Sequence, residues 1–339
     1  MKFFHLSHID LDGYTAQLVT KFYMKNGVYF NSNYGKEIDA KFENIISQIN
    51  DDEKAIILIT DLNLTLKQCE DFEKLLKDKK AKFFVLDHHI SGIECAKKYP
   101  WYFLDNSKSA TKITYDFFSF MFGKNERLSK FCDVVNSIDI WLDDKKEFEL
   151  GKVCSNLVSS AKEINKVMFE KESFEYILFL IQKSMDFMDK ENSHILLDDA
   201  LHFLKKEYFK AEFNDTLTNL VAKRVVKMLF DNLEKFEIDY KNFKGILTYN
   251  IGNMSVIGNE FLRQNPKYDF IMDITSKKSV SLRANGKCDV SLMAQKLFNG
   301  GGHANASGGA FLSFRDSYDY FVIKTQIVDL INKKVGQND

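Results

Sequence analysis

The stretch that most constrains this chain is Ala55-Ile56-Ile57-Leu58-Ile59-Thr60, an unbroken apolar and β-branched run that stops at Asp61. It reads as a strand. Shorter runs of the same kind stand at 3–7, 28–31, 82–86 and 101–104, and helix-length segments separate them at 14–24, 38–49 and 66–76. A helix over 111–122 and another over 128–138 follow. Strands alternating with helices at this spacing build βαβ units and a mostly parallel sheet, so the fold class is α/β. In an open sheet of that kind, ligands gather at the carboxyl ends of the strands.

Those ends are where the ionisable residues stand. The first strand runs into His8-Ile9-Asp10-Leu11-Asp12-Gly13, the third into Asp61, and the fourth into Asp87-His88-His89. Residues 8, 10 and 12 fan outward from one extended loop, and Gly13 suits a tight turn into the next helix. Asp12 also has a plain reading as the N-cap of that helix, which leaves His8 and Asp10 unexplained. Asp139 adds a further carboxylate near the end of the helix at 128–138. His5, inside the first strand, reads as a packed core residue. Asp10, Asp12, Asp61, His88 and Asp139, with His8, make a carboxylate and imidazole set without thiolates, which suits Mn²⁺ or a similar hard divalent ion. So many carboxylates raise one another's pKa unless cations compensate them. Two metals resolve the repulsion, and such a pair can clamp both oxygens of an in-line phosphoryl displacement.

From 145 to 240 the pattern changes to helical stripes, such as Phe174, Ile177, Leu178 and Ile181, which read as helix core. His194 and His202 fall here on solvated faces. A second α/β unit begins near Lys244, with strands at 245–249, 268–274, 279–283 and 310–314 and helices at 255–263, 290–298 and 318–333. Gly300, Gly301 and Gly302 precede His303, and three glycines in a row let backbone N–H groups approach an anion. Arg283 leaves a strand nearby in sequence and carries the planar donor fork that grips phosphate. The expected domains are 1–145 for the catalytic sheet, 146–242 for a helical connector with a candidate homodimer surface, and 243–339 for substrate binding.

Charge supports that division. The chain of 339 residues has a net charge of −1, made of −1 over 1–140, −5 over 141–240 and +5 over 241–339. The positive excess lies where an anionic substrate would be gripped. No run of about 18 apolar residues exists to span a membrane, and the amino-terminal stretch lacks a secretory apolar core. Five scattered cysteines without a Cys-x-x-Cys pair argue against a disulfide framework and against a thiolate zinc site. The expected compartment is a reducing cytoplasm.

Taken in order, His-x-Asp-x-Asp-Gly at 8–13, Asp61 after a strand, Asp87-His88-His89, Asp139 in a helix and Gly-Gly-Gly-His at 300–303 resemble the DHH phosphoesterases. The last hundred residues resemble the DHH-associated C-terminal domain. The spacing His8-x-Asp10 is similar to the nanoRNase B and RecJ-like branches; other branches place the histidine four residues before the aspartate, where this chain has Leu6. The resemblance implies two Mn²⁺ ions held by His8, Asp10, Asp12, Asp61, His88 and Asp139, with Asp61 bridging and Mg²⁺ or Co²⁺ as alternatives. It further implies that Asp87 orients the site and His89 faces the scissile phosphate. Arg283, His303 and the glycine run would bind the substrate across an interdomain cleft. The acidic middle and the missing strand-binding module argue against a processive exonuclease, whose affinity needs many phosphate contacts. Short oligoribonucleotides, including linear dinucleotides, are therefore the expected substrates. Adenosine 3′,5′-bisphosphate and cyclic dinucleotides are the alternatives, and a non-catalytic nucleotide sensor is the alternative from another class.

Overall fold

The computed structural model describes residues 1–210 and 214–335. The chain divides into two compact units, one comprising Met1–Ser160 and Ile177–Leu201, the other Ala161–Tyr176 and the chain from His202 onward.

The first unit holds a sheet of β1 (Lys2–Ser7), β2 (Gly27–Asn31), β3 (Ala55–Thr60), β4 (Ala81–Asp87) and β5 (Tyr102–Leu104). Their spatial order is β2-β1-β3-β4-β5, and every neighbouring pair is parallel. Six helices are interleaved: α1 (Leu11–Tyr23), α2 (Lys36–Ser47), α3 (Leu66–Leu76), α4 (Ile93–Lys98), α5 (Ala110–Phe122) and α6 (Glu126–Asp139). The strand order reverses between β1 and β3, and a crevice opens outside the strand ends at such a switch point. Register aligns Ser7 with Thr60 and Thr60 with Leu86, so residues 8, 61 and 87 leave the sheet at one level.

Alternate strand residues are buried on opposite faces. Phe4, Leu6, Ile57, Ile59, Phe83 and Val85 pack with Phe42 and Phe72 on one side. Phe3, Leu58 and Leu86 pack with Ile113 and Phe118 on the other. Two covered faces explain why these strands read as continuous apolar runs. The rings of Phe42 and Phe72 stack at 3.8 Å, and burying a side chain of this class contributes about 1.5–3 kcal/mol. Helix α3 begins at a capping box in which Thr65 accepts from the Gln68 N–H and Gln68 accepts from the Thr65 N–H. That motif, typically worth about 1 kcal/mol, accounts for the sharp start of the helix at 66.

The stretch expected as a connector is largely helical: α7 (Phe148–Ser160), α8 (Glu170–Ser184), α9 (Ser193–Phe209), α10 (Leu217–Phe230) and α11 (Leu233–Phe236). Its residues are shared between the two units. The second unit also contains β6 (Glu237–Tyr240), β7 (Phe243–Tyr249), β8 (Phe270–Ile274), β9 (Ser279–Ala284), β10 (Gly301–His303) and β11 (Ala306–Ala310). Helices α12 (Met254–Gln264), α13 (Val290–Phe298) and α14 (Tyr320–Val335) complete it. The sheet order is β10-β11-β9-β8-β7-β6, with β7 and β8 parallel and the other pairs antiparallel.

The glycine run differs from its sequence reading. It forms a hairpin, and the strand expected at 310–314 lies earlier, at Ala306–Ala310. A Cβ on Gly300 would stand 2.0 Å from the Gly308 carbonyl oxygen, and one on Gly302 would stand 2.7 Å from that of Ala306. These glycines are needed because backbone packs on backbone there. Among the described residues, no helix is long and apolar enough to cross a membrane.

Candidate active site

The site begins where β1 ends. Asp10 is the N-cap of α1: one carboxylate oxygen accepts from the Gly13 N–H at 3.0 Å, and the other lies 2.8 Å from His8 Nδ1. Gly13 is required by contact, since a Cβ there would sit 2.4 Å from the His8 carbonyl oxygen. Asp12 does not cap its own helix. It lies in the first turn, and its carboxylate accepts from the N–H groups of Ala110 and Thr111 at 2.7 and 2.9 Å. It therefore anchors the start of α5 while remaining beside the site, where a helix N-terminus favours negative charge.

Asp61 leaves β3 with φ +57°, a left-handed conformation that costs a non-glycine residue about 1–3 kcal/mol. It is buried, and its Oδ2 has no hydrogen-bond partner; the same holds for Oδ2 of Asp139. His88 Nε2 lies 3.3 Å from Asp61 Oδ1, 3.5 Å from Asp139 Oδ2 and 3.9 Å from Asp12 Oδ2. His8 Nδ1 lies 3.7 Å from Asp61 Oδ2. Three groups result, each with ligand atoms within 4.8 Å of one another: His8, Asp10 and Asp61; Asp12, His88 and Asp139; and Asp61, His88 and His89. All six residues expected as metal ligands are thus brought together. Asp61 turns one oxygen toward His8 and the other toward His88.

Electrostatics show what such crowding costs. Burial, reinforced by the charges of Asp12, Asp10 and Asp139, pushes the Asp61 carboxyl well above its usual range. Burial, with the charges of Asp12 and Asp10, lifts Asp139 to about 9. Burial also raises Asp12, against the pull of His88, and lowers His88. Asp10 goes the other way: the His8 contact and the Gly13 N–H outweigh its burial and bring it to about 2. Two orphaned buried oxygens amid mutually repelling carboxylates fit hard divalent cations, which would satisfy the lone pairs and cancel the repulsion.

Asp87 has a different place. It is fully buried, with Oδ1 accepting from the backbone N–H groups of His88 and His89 and from His89 Nδ1, and Oδ2 accepting from the Tyr102 hydroxyl. With both oxygens engaged, it fixes the two histidines rather than offering a free ligand atom. Gly92 keeps this pocket tight, since a Cβ there would meet the Tyr102 hydroxyl at 2.4 Å. Burial pulls the His89 pKa down, but the Asp87 hydrogen bond and charge overcome that and raise it. Tyr34 also belongs here and escaped the sequence reading. Its hydroxyl lies 3.0 Å from His89 Nε2 and its ring 4.5 Å from that of His8. A lone tyrosine in a loop carries no pattern to mark it.

In the second unit, Arg283 and His303 are each in register with Ala306, on strands either side of β11. In-register partners in an antiparallel sheet project to the same face, so the two lie in line with a small residue between them. The Arg283 guanidinium is held by the Leu282 carbonyl and the Ser255 hydroxyl, both at 2.8 Å. His303 is exposed, and Gly301 is exposed with open space where a side chain would be.

No protein-family model matches this chain. A curated relative from Helicobacter pylori, named 3′,5′-cyclic-nucleotide phosphodiesterase, is 41% identical over 345 residues, spanning 98% of this chain and 99% of its own length. The crystal structure of an uncharacterized protein from Helicobacter pylori G27 is similar with a TM-score of 0.85 and 39% identity, covering 98% of this chain and 99% of that one.

Proposed function

This chain belongs to the DHH phosphoesterases and is a phosphodiesterase, and on that premise we propose that it opens 3′,5′-cyclic nucleotides and also cleaves short oligoribonucleotides. Both reactions break the bond between phosphorus and O3′ and leave a nucleoside 5′-monophosphate. The oxygen of hydroxide bonds to phosphorus, the P–O3′ electron pair leaves with O3′, and O3′ takes up a proton. Cyclic dinucleotides present the same diester and adenosine 3′,5′-bisphosphate the same P–O3′ bond in a monoester, so attack at phosphorus with O3′ leaving covers all these candidates.

The observation that carries this reading is Asp61, whose two oxygens face two separate ligand groups. Two divalent ions, Mn²⁺ first with Mg²⁺ or Co²⁺ as alternatives, would supply compensating charge and a nucleophilic hydroxide. His8, Asp10 and Asp61 would hold one ion, and Asp12, His88 and Asp139, with Asp61, the other. The protein supplies positioning: Asp87 fixes the His89 ring through Nδ1, and His89 faces the scissile phosphate. Arg283 and His303, with the exposed backbone of Gly301, bind substrate phosphate. The curated relative's name puts 3′,5′-cyclic nucleotides first among substrates, while the −5 charge of residues 141–240 disfavours long strands.

The test is incubation with Mn²⁺ and a panel of 3′,5′-cyclic mononucleotides, linear and cyclic dinucleotides, RNA of two to five nucleotides, a 24-mer and adenosine 3′,5′-bisphosphate. Release of 5′-monophosphate from cyclic nucleotides, and from short RNA much faster than from the 24-mer, is the expected result. Release of 3′-monophosphate, or no turnover of any member of the panel, would overturn the reading.

A further inference from the structure

Tyr34 has no assigned role, yet the fold presents it to the site from a rigid turn. The turn follows β2 and is tied to the end of β1 by the Ser32 N–H, which donates to the Ser7 carbonyl at 2.9 Å. It is tied to α2 by Asn33, whose backbone N–H and side-chain amide both donate to the Glu37 carboxylate at 3.1 and 2.7 Å. Gly35 follows at φ +83°, which frees the chain to reverse directly after the tyrosine. The ring leans on His8 and meets His89 edge-on at 5.6 Å, while 44% of the residue stays exposed to solvent.

The hydrogen-bond inventory gives the hydroxyl its meaning. Asp87 accepts at both oxygens, so the His89 ring carries a proton on Nδ1. Nε2 therefore bonds to Tyr34 Oη with no other partner described for either atom. A phenol, with an ordinary pKa of about 10, keeps its proton at neutral pH, so the hydroxyl can donate. A donor parked on a partially exposed histidine nitrogen, at the rim of a carboxylate cluster, is poised for an arriving acceptor.

We propose that Tyr34 is a substrate-binding catalytic residue whose O–H donates to a non-bridging oxygen of the scissile phosphate, leaving His89 Nε2 when substrate enters. This rests on the phosphodiesterase reading above and deepens it. Repulsion makes an array of carboxylates hostile to a phosphodiester, and a neutral donor in a fixed position offsets part of that. Whichever of the two atoms donates in the Tyr34–His89 contact, the phenol proton makes a stronger hydrogen bond to a charged phosphate oxygen than to an uncharged partner.

The test compares Tyr34→Phe, which keeps the ring against His8, with the wild-type protein in two assays. Turnover of 3′,5′-cyclic nucleotide with Mn²⁺ should fall about ten- to a hundredfold in kcat/KM, the range for a charge-assisted hydrogen bond. Binding of inorganic phosphate to the Mn²⁺-loaded protein, followed by calorimetry, should weaken by about tenfold or more. Mn²⁺ content after dialysis should be unchanged. An active wild type with Tyr34→Phe within twofold of it in both assays overturns the role of Tyr34 and leaves the function standing. An inactive wild type whose phosphate binding still weakens in Tyr34→Phe overturns the function and leaves the anion contact standing. Loss of Mn²⁺ from Tyr34→Phe would make the residue a support for His8 and overturn the proposal. Phosphate binding that is absent or unchanged would do the same.

Discussion

Asp61 in the first unit and Asp273 in the second are both buried carboxylates at the ends of central strands, and they are built for opposite purposes. Asp273 accepts from the Thr248 hydroxyl at 2.8 Å and the Ile251 N–H at 3.2 Å, and burial lifts its pKa to about 6. No carboxylate is among the groups that shift it. Asp61 has equal burial, a backbone in the left-handed region, an oxygen without a partner and three carboxylates that raise it further. A buried acid with its hydrogen bonds complete secures a turn. One left incomplete among repelling neighbours carries a cost that a bound cation would relieve.

The largest expected effect comes from replacing each with asparagine. Asp61→Asn should cut kcat/KM by about a thousandfold or more, corresponding to the several kcal/mol that metal-borne charge stabilisation supplies. Asp273→Asn should stay within about twofold. Equal losses measured in steady-state kinetics would erase the distinction.

The pH dependence of stability sharpens it. The folded pKa of Asp273, about 6, lies above its ordinary value of 3.8, so the folded state holds the extra proton between these values. Stability from this group is complete below pH 3.8 and is lost as pH rises through 6, in total about 3 kcal/mol. Denaturant unfolding at pH 4 to 7 should show wild type losing that amount relative to Asp273→Asn. A constant difference across the range would contradict it.

Metal binding should show the complementary behaviour. Burial and neighbouring carboxylates lift Asp139 to about 9 and raise Asp61 well above its usual range, so Mn²⁺ competes for this cluster with protons. Calorimetry at pH 7 in buffers of different ionisation enthalpy should show net proton release, with affinity rising from pH 6 to 9. Mn²⁺ at a hundred times its Kd should stabilise the fold by about 2.7 kcal/mol, and chelation should remove that. Proton-neutral binding would count against a carboxylate site.

The smallest effects separate gripping from chemistry. Arg283→Ala should raise KM and lower kcat/KM by about ten- to a hundredfold, and His89→Ala should lower kcat with little change in KM. Metal content, by elemental analysis, should stay near wild type in both. An emptied metal site in Arg283→Ala would refute the division of labour.

Much of this was legible from the chain because the strands here are covered on both faces. The run 55–60 and the helix 66–76 match their elements residue for residue. Ionisable residues placed directly after such strands converge when register levels the strand ends, which brings His8, Asp61 and His88 together, and Asp139, at the end of α6, joins these candidate ligands from outside the sheet. Legibility failed where structure depends on contact rather than pattern. Gly301–His303 is a strand without a single β-branched residue, held by backbone pairing alone. Glu237–Tyr240 is too short and too polar in alternation to stand out. Asp10 rather than Asp12 caps α1, because Asp12 is drawn to the start of α5, nearly a hundred residues away in sequence. Tyr34 is defined only by the turn that carries it.

The most direct measurement is anomalous diffraction from crystals soaked in Mn²⁺. Two ions about 3.5–4 Å apart, with one Asp61 oxygen on each, His8 and Asp10 on one side, and Asp12, His88 and Asp139 on the other, is the expected result. A single ion held by both oxygens of Asp61, or no ion at this cluster, would contradict the two-metal site on which the proposed phosphodiester cleavage depends.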